Sequence, residues 1–163
     1  MTQLKLQKLL YLVQANYLAA TGSRLFRATI EAFDNGPVVY TVLKEYEAYS
    51  RSVIAPDNAP WDAELLPRDA REFIDSVWSR YRGWTATQLW SLTHSQSPWE
   101  DAYEQGAYRK QIPDEAMTDY FRSEVPLDKR VLHPNGVVVD RGLLDDLDDN
   151  EEEIVALAIS ALR

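Results

Sequence analysis

Leu4-Lys5-Leu6-Gln7-Lys8-Leu9-Leu10-Tyr11 opens the longest regular pattern in the chain. From here the apolar residues Leu6, Leu9, Leu10, Val13, Tyr17 and Ala20 recur at intervals of three and four, the period of an α-helix that buries one face. Thr2 offers a side-chain oxygen as N-cap, and Gly22 stops the helix. On this reading Lys5, Lys8 and Asn16 fall on or near the margins of the stripe. The two lysines then form a solvated edge whose aliphatic stems cover apolar surface. The run is neither a signal peptide nor a membrane span, because Lys5, Gln7, Lys8, Gln14 and Asn16 interrupt it well before about 18 apolar residues accumulate. No other stretch is long and apolar enough to span a membrane.

Outward from this helix, Leu25-Phe26 and Thr29-Ile30-Glu31-Ala32-Phe33 have the partial alternation of a short strand or an extended connector. Asn35-Gly36-Pro37 reads as a turn, with the proline at the first position of a second helix through Val39, Val42, Leu43, Tyr46 and Tyr49. Residues 51 to 60 hold Pro56, Asp57, Asn58 and Pro60 and read as a loop. Pro67 starts a third helix whose positions Ala70, Phe73, Ile74, Val77, Trp78 and Tyr81 are apolar until Gly83, which places Trp78 in the core. Thr85-Ala86-Thr87-Gln88 fits a capping box, and Ser97-Pro98-Trp99-Glu100 fits the same pattern about twelve residues later, so the helix between is short. Trp99 anchors that second helix end against the body. Pro113 begins another helix, through Met117, Tyr120 and Phe121, and Pro126 ends it.

The chain changes character after residue 125. Val131-Leu132-His133 and Val137-Val138-Val139 flank Pro134-Asn135-Gly136, the signal of a β-hairpin. An acidic run follows, then an apolar-rich segment from Ile154 to Leu162 that reads as a final helix. That helix is too apolar to stay free and packs on the body, on a second copy or on a partner. The expected architecture is therefore mainly α: a compact multi-helix domain over 1–125 with a short β element, and a C-terminal extension over 126–163 of hairpin, acidic run and helix.

Composition narrows the function. A chain of 163 residues, 45% hydrophobic with five tryptophans, is the size of one domain with a real core. It has no cysteine, which excludes disulfides and thiolate metal sites and suits a reducing cytoplasm. Of the net charge of −9, eight carboxylates against Arg141 place −7 within residues 140–153, and the rest of the chain is nearly balanced. Neither part carries the concentrated basic face that a phosphate backbone requires, so direct nucleic-acid binding is not expected.

No catalytic constellation stands out. His94 with Glu100 and Asp101 nearby could serve as a general base or a ligand, but two histidines and no cysteines fall short of a zinc set. Just before a helix N-terminus, the His94 imidazole is better read as bonding neighbouring backbone. No serine sits in a nucleophile elbow, and no glycine-rich phosphate loop is present. Asp145-Asp146 and Asp148-Asp149 lack the spacing and glycine of a calcium loop and read as a solvated run. Neither a metal nor a cofactor is expected.

The order of motifs is informative beyond their chemistry. Leu4 to Tyr11, Leu25-Phe26, Ile30-Glu31-Ala32-Phe33, Gly36-Pro37-Val38, Leu92-Thr93-His94, and Pro98-Trp99 followed by Ala102-Tyr103 together resemble the Panacea domain, a helical domain of bacterial and phage toxin–antitoxin pairs. The resemblance covers roughly Leu4 to Phe121. It implies an antitoxin that neutralises a protein toxin encoded nearby by direct binding, without catalysis. Family partners are diverse, which implies one scaffold with variable surfaces. Relatives often carry a further helix or a DNA-binding module ahead of the leucine-rich run. This chain begins almost on it, so autorepression is not expected.

The motif residues Lys5, Gln7, Lys8, Tyr11, Gly36, Pro37, His94 and Trp99 are then candidate partner contacts. In the tail Asp145, Asp146, Asp148, Asp149, Glu151, Glu152 and Glu153 are candidates for a basic toxin surface, where charge complementarity speeds association. Two other functions compete with toxin neutralisation. One is an adaptor that delivers the toxin to a protease. The other, much less favoured, is a small enzyme that uses His94.

Overall fold

A computed structural model describes residues 1–50, 52–54, 65–106 and 109–132. The described residues are mainly helical. The helices are α1 (Gln3–Thr21), α2 (Tyr40–Glu45), α3 (Arg68–Tyr81), α4 (Ala86–His94), α5 (Ser97–Ala102) and α6 (Asp114–Asp119). A small antiparallel sheet of β1 (Glu31–Phe33), β2 (Gly36–Val38) and β3 (Lys110–Gln111) runs in the order β2-β1-β3. Glu31 faces Val38 and Gln111 across its two neighbours. The expected hairpin, acidic run and final helix of the C-terminal extension lie outside the described residues, as does most of the expected loop at 51–60.

Helix α1 is the axis of the domain. The Thr2 hydroxyl accepts the Lys5 amide at its start, and Gly22 in the left-handed region (φ 71°) closes it by donating to the Leu18 carbonyl. It packs on α3, α4, α6 and β2, so it is enclosed on more than one side. This corrects the expected single stripe. Leu6, Leu10, Val13, Tyr17 and Ala20 are only partly buried, whereas Lys8, Tyr11, Leu12 and Ala15 are buried completely. Lys8 and Asn16 are interior residues, not a solvated margin. An enclosed helix buries polar residues wherever neighbouring backbone needs partners, and an apolar stripe alone does not locate its deepest face.

Other local readings shift as well. Asp34-Asn35 forms the hairpin turn, and Gly36-Pro37 lies in β2, three residues ahead of α2. Pro37 is therefore a strand residue and not a first helical position. Helix α2 is short and gives way to a 3₁₀ turn at Glu47–Tyr49. The Thr85–Gln88 capping box forms as expected. The pattern at Ser97 does not: Gln96 is the N-cap, without a side-chain cap bond, and Ser97 is already helical. Trp78 is 40% exposed, while the same helix buries Ala70, Phe73, Val77 and Tyr81. It lies one position beyond Val77, at the edge of the buried face. Helix α6 runs on into a π-helical turn at Tyr120–Glu124 before Pro126.

Candidate functional site

The polar residues of α1 are fasteners between segments. Gln7 exchanges hydrogen bonds with Val39 as a neighbouring strand would: its Oε1 accepts the Val39 amide at 2.8 Å, and its Nε2 donates to the Val39 carbonyl at 3.4 Å. Gln14, two turns later, does the same for the connector. Its Oε1 accepts the amides of Leu25 and Phe26, and its Nε2 donates to the Phe26 carbonyl at 3.1 Å. Asn16 donates to the Leu12 carbonyl and accepts the Val131 amide, tying the end of the described chain to α1. The bonds to the amides of Val39, Leu25, Phe26 and Val131 give non-helical backbone a side-chain partner.

Lys8 is 0% exposed and donates from Nζ to the Pro37 carbonyl at 2.9 Å. No carboxylate pairs with it among the described residues, so burial alone pulls its pKa from 10.5 down to about 7. Gly36 (φ 92°) makes the approach fit. A Cβ there would lie 2.6 Å from Lys8 Nζ and 2.7 Å from His94 Cε1. The glycine is thus required by its backbone angle and by two side chains that close on it.

His94, the last residue of α4, meets the carbonyls of Trp90 at 2.8 Å from Nδ1 and of Asp34 at 3.2 Å from Nε2. The expected backbone bonding is present, and His94 is both the last residue of α4 and two residues ahead of the Gln96 N-cap of α5. Trp90, His94, Trp99 and Tyr103 meet ring to ring in succession, with centroids 3.9, 4.1 and 4.8 Å apart, the first two pairs tilted and the last stacked. Trp99 Nε1 donates to the Phe33 carbonyl and the Tyr103 hydroxyl to the Asp34 carboxylate, a bond that raises the Tyr103 pKa. This aromatic ladder and Lys8 hold the hairpin from two sides, and its tip, Asp34-Asn35, stays exposed.

Lys5 differs from Lys8. Its Nζ donates to the Arg82 carbonyl at 2.7 Å and stands 5.8 Å from the Trp78 ring centroid. Gln7, Lys8, Gly36, Pro37, His94 and Trp99 thus belong to one hairpin and its supports, while Tyr11 reaches Gln96 and Lys5 joins α1 to the end of α3. The acidic tail residues lie outside the described chain.

Two clefts border this framework. One, of about 540 Å³, opens between the start of α1, the hairpin, α2 and Ala86, with Gln7 and Lys8 in its wall. The other, of about 560 Å³, lies between α3, the α4–α5 junction and the turn at 120–124. At its base the Tyr11 hydroxyl donates to Gln96 Oε1 at 2.8 Å. Burial raises the pKa of Tyr11, Tyr81 and Tyr120, keeping all three neutral. Gln14, Asn16, Tyr81, Gln96 and Tyr120 are not among the site residues expected from the sequence, although all but Gln96 fall on expected helices. Only the seven-residue spacing of Gln7 and Gln14, which puts two glutamines on one helix face, signalled any of them. Among the described residues no group of three or more histidine, cysteine or carboxylate side chains could hold a metal ion.

The family model described as antitoxin SocA-like, Panacea domain, matches residues 6–100, from the first turns of α1 into α5. No curated protein matches the chain, and no solved structure matches it.

Proposed function

The chain belongs to the antitoxin SocA-like, Panacea-domain family, and we propose that it neutralises a cognate protein toxin, encoded beside it, by binding that toxin directly in the cytoplasm. The family match across the whole α1–α5 framework is the observation that carries this reading. The geometry supports it. The motif side chains most open to a catalytic reading are engaged internally: Lys8 by the Pro37 carbonyl, and His94 by two carbonyls and two indole rings. No helix among the described residues is long and apolar enough to cross a membrane. What remains for a partner is the outside of a stapled frame, where Trp78, Trp84 and Trp90 are each between 37% and 40% exposed. Large aromatics at that exposure are the residues that anchor protein interfaces.

The test is co-expression with the product of the adjacent reading frame. Growth is expected to be rescued, and the two chains to co-purify with the toxin present at its normal lifetime. Rescue with accelerated toxin loss would replace sequestration by delivery to a protease. Rescue without co-purification or toxin loss would remove direct binding altogether.

A further inference from the structure

Asn35 and Asn135 are the two asparagines of the chain that a glycine follows, and Asn35 is the one among the described residues. An asparagine so placed can modify itself. The glycine backbone nitrogen, once it loses its proton, attacks the side-chain carboxamide carbon. A C–N bond closes a succinimide ring and ammonia leaves. Water then opens the ring at either carbonyl to give aspartate or isoaspartate. Glycine is the most permissive follower, because it has no Cβ to hinder the approach. At the hairpin tip the two reactants are differently placed: Asn35 is exposed, whereas Gly36, which must supply the nitrogen, is buried.

The backbone on both sides of the reacting pair is fastened. Gly36 stands opposite Phe33 in the ladder, and the Phe33 carbonyl accepts Trp99 Nε1 at 3.0 Å. The Asp34 carbonyl meets His94 Nε2 at 3.2 Å, and the Pro37 carbonyl accepts Lys8 Nζ at 2.9 Å. Ring closure needs the chain at Asn35 to rotate until the Gly36 nitrogen reaches the carboxamide carbon, a movement that pulls the neighbouring carbonyls off their donors. The product is opposed as well. Isoaspartate routes the backbone through its side chain and lengthens it by one methylene just ahead of Gly36. There is no slack at Gly36, where a single added carbon would lie 2.6 Å from Lys8 Nζ and 2.7 Å from His94 Cε1.

We propose that Asn35 is a deamidation site gated by the fastenings of the hairpin: the closed frame protects it, and an opened hairpin converts it irreversibly to a form the frame no longer accepts. The proposal is independent of toxin binding. To test it, the full chain is held at pH 8, folded or unfolded in guanidinium chloride. Residue 35 is followed by tryptic peptide mapping, with electron-transfer fragmentation to separate isoaspartate from aspartate. The unfolded chain is expected to lose the Asn35 carboxamide at least tenfold faster, the factor that about 1.4 kcal/mol of local opening supplies. Trp99→Phe removes the bond to the Phe33 carbonyl, and Tyr103→Phe removes the bond to the Asp34 carboxylate. Each, still folded by circular dichroism, should deamidate roughly two- to tenfold faster than wild type; should Trp99→Phe not fold, Tyr103→Phe carries this arm. After removal of denaturant the isoaspartyl chain should melt below wild type, whereas Asn35→Asp, which reproduces the aspartyl product with its backbone unchanged, should not. Equal rates in the folded and unfolded chain overturn the proposal. So does an unfolded chain that keeps Asn35, a wild-type rate in the folded variants, or an isoaspartyl chain that refolds to wild-type stability.

Discussion

Replacing Lys8 by methionine isolates the cost of burying a cation without a counter-ion. Lys8 is buried, its one hydrogen-bond partner among the described residues is the Pro37 carbonyl, and burial brings its pKa from 10.5 to about 7. Between those values the unfolded chain binds the proton and the folded chain does not, so stability rises with pH across that window. The full displacement corresponds to about 5 kcal/mol between the two protonation states. From pH 6 to pH 9 the folded protein should gain about 2 to 3 kcal/mol from this residue alone. The ceiling of pH 9 matters, because the buried tyrosines hold their protons in the fold and reverse the slope once unfolded tyrosine ionises near pH 10. Lys8→Met keeps the stem and removes the charge, leaving the Pro37 carbonyl unpaired at a roughly pH-independent cost of about 1 to 3 kcal/mol. Urea unfolding of both proteins at pH 6, 7, 8 and 9 separates the two effects. The wild-type midpoint should climb relative to the variant by about 1 M, taking a slope of about 2 kcal/mol per molar. Parallel curves across the range would refute an unpaired buried ammonium at this position.

Gly36→Ala should destabilise the domain by about 2 to 4 kcal/mol, since a Cβ would meet Lys8 and His94 at under 3 Å and the backbone is at φ 92°; a thermal melt within 2 °C of wild type would contradict it. Gln7→Leu strands the Val39 amide, while the Val39 carbonyl keeps the Leu43 amide, and should cost about 1 to 3 kcal/mol, with faster hydrogen exchange at Val39 than at Leu89 as its local signature. Thr85→Ala removes one half of the α4 capping box and should cost only about 1 kcal/mol in a urea titration. Neutralising the seven acidic residues from Asp145 to Glu153 should slow toxin association more than it hastens dissociation, read by surface binding kinetics at low and high salt. An unchanged association rate would remove the acidic run from the encounter.

Much of this frame is legible in the chain, and the failures share a cause. Thr2, Gly22, Thr85 with Gln88, and Pro113 specify their helix ends locally, through caps and fixed backbone angles that need no tertiary context. The β element at Glu31–Phe33 likewise carried a local alternation. The deep face of α1 is different. Lys8 and Asn16 are interior because the hairpin and the chain near Val131 arrive from distant sequence and present unpaired carbonyl and amide groups, which helical periodicity cannot register. Trp78 failed in the opposite sense: its spacing is correct for α3, but Val77 and Tyr81 occupy the line of closest approach. Ser97 offered a plain capping pattern that tertiary packing displaced by one residue, since Gln96 is pulled in to meet Tyr11.

That last contact links the buried motif to the surface. Had the Tyr11 phenol been an apolar ring, nothing would orient the Gln96 amide, and either of its ends could face the cleft. Because the hydroxyl donates, the oxygen is committed inward and the NH₂ outward. A residue with no exposed surface thereby sets the polarity of a cleft it never enters. The same arrangement holds at the hairpin, where Lys8, His94, Trp99 and Tyr103 fix the backbone behind Asp34-Asn35 while the tip stays exposed. Substitutions at the tip or at the cleft walls leave those fastenings in place, whereas substitutions in the motif loosen both surfaces at once. A Tyr11→Phe variant tests the distinction. The lost hydrogen bond should cost about 1 kcal/mol in stability, and the Gln96 side-chain amide signals should broaden or double as the amide loses its fixed orientation. Unchanged Gln96 signals would show that the α4–α5 junction orients that side chain without help from α1.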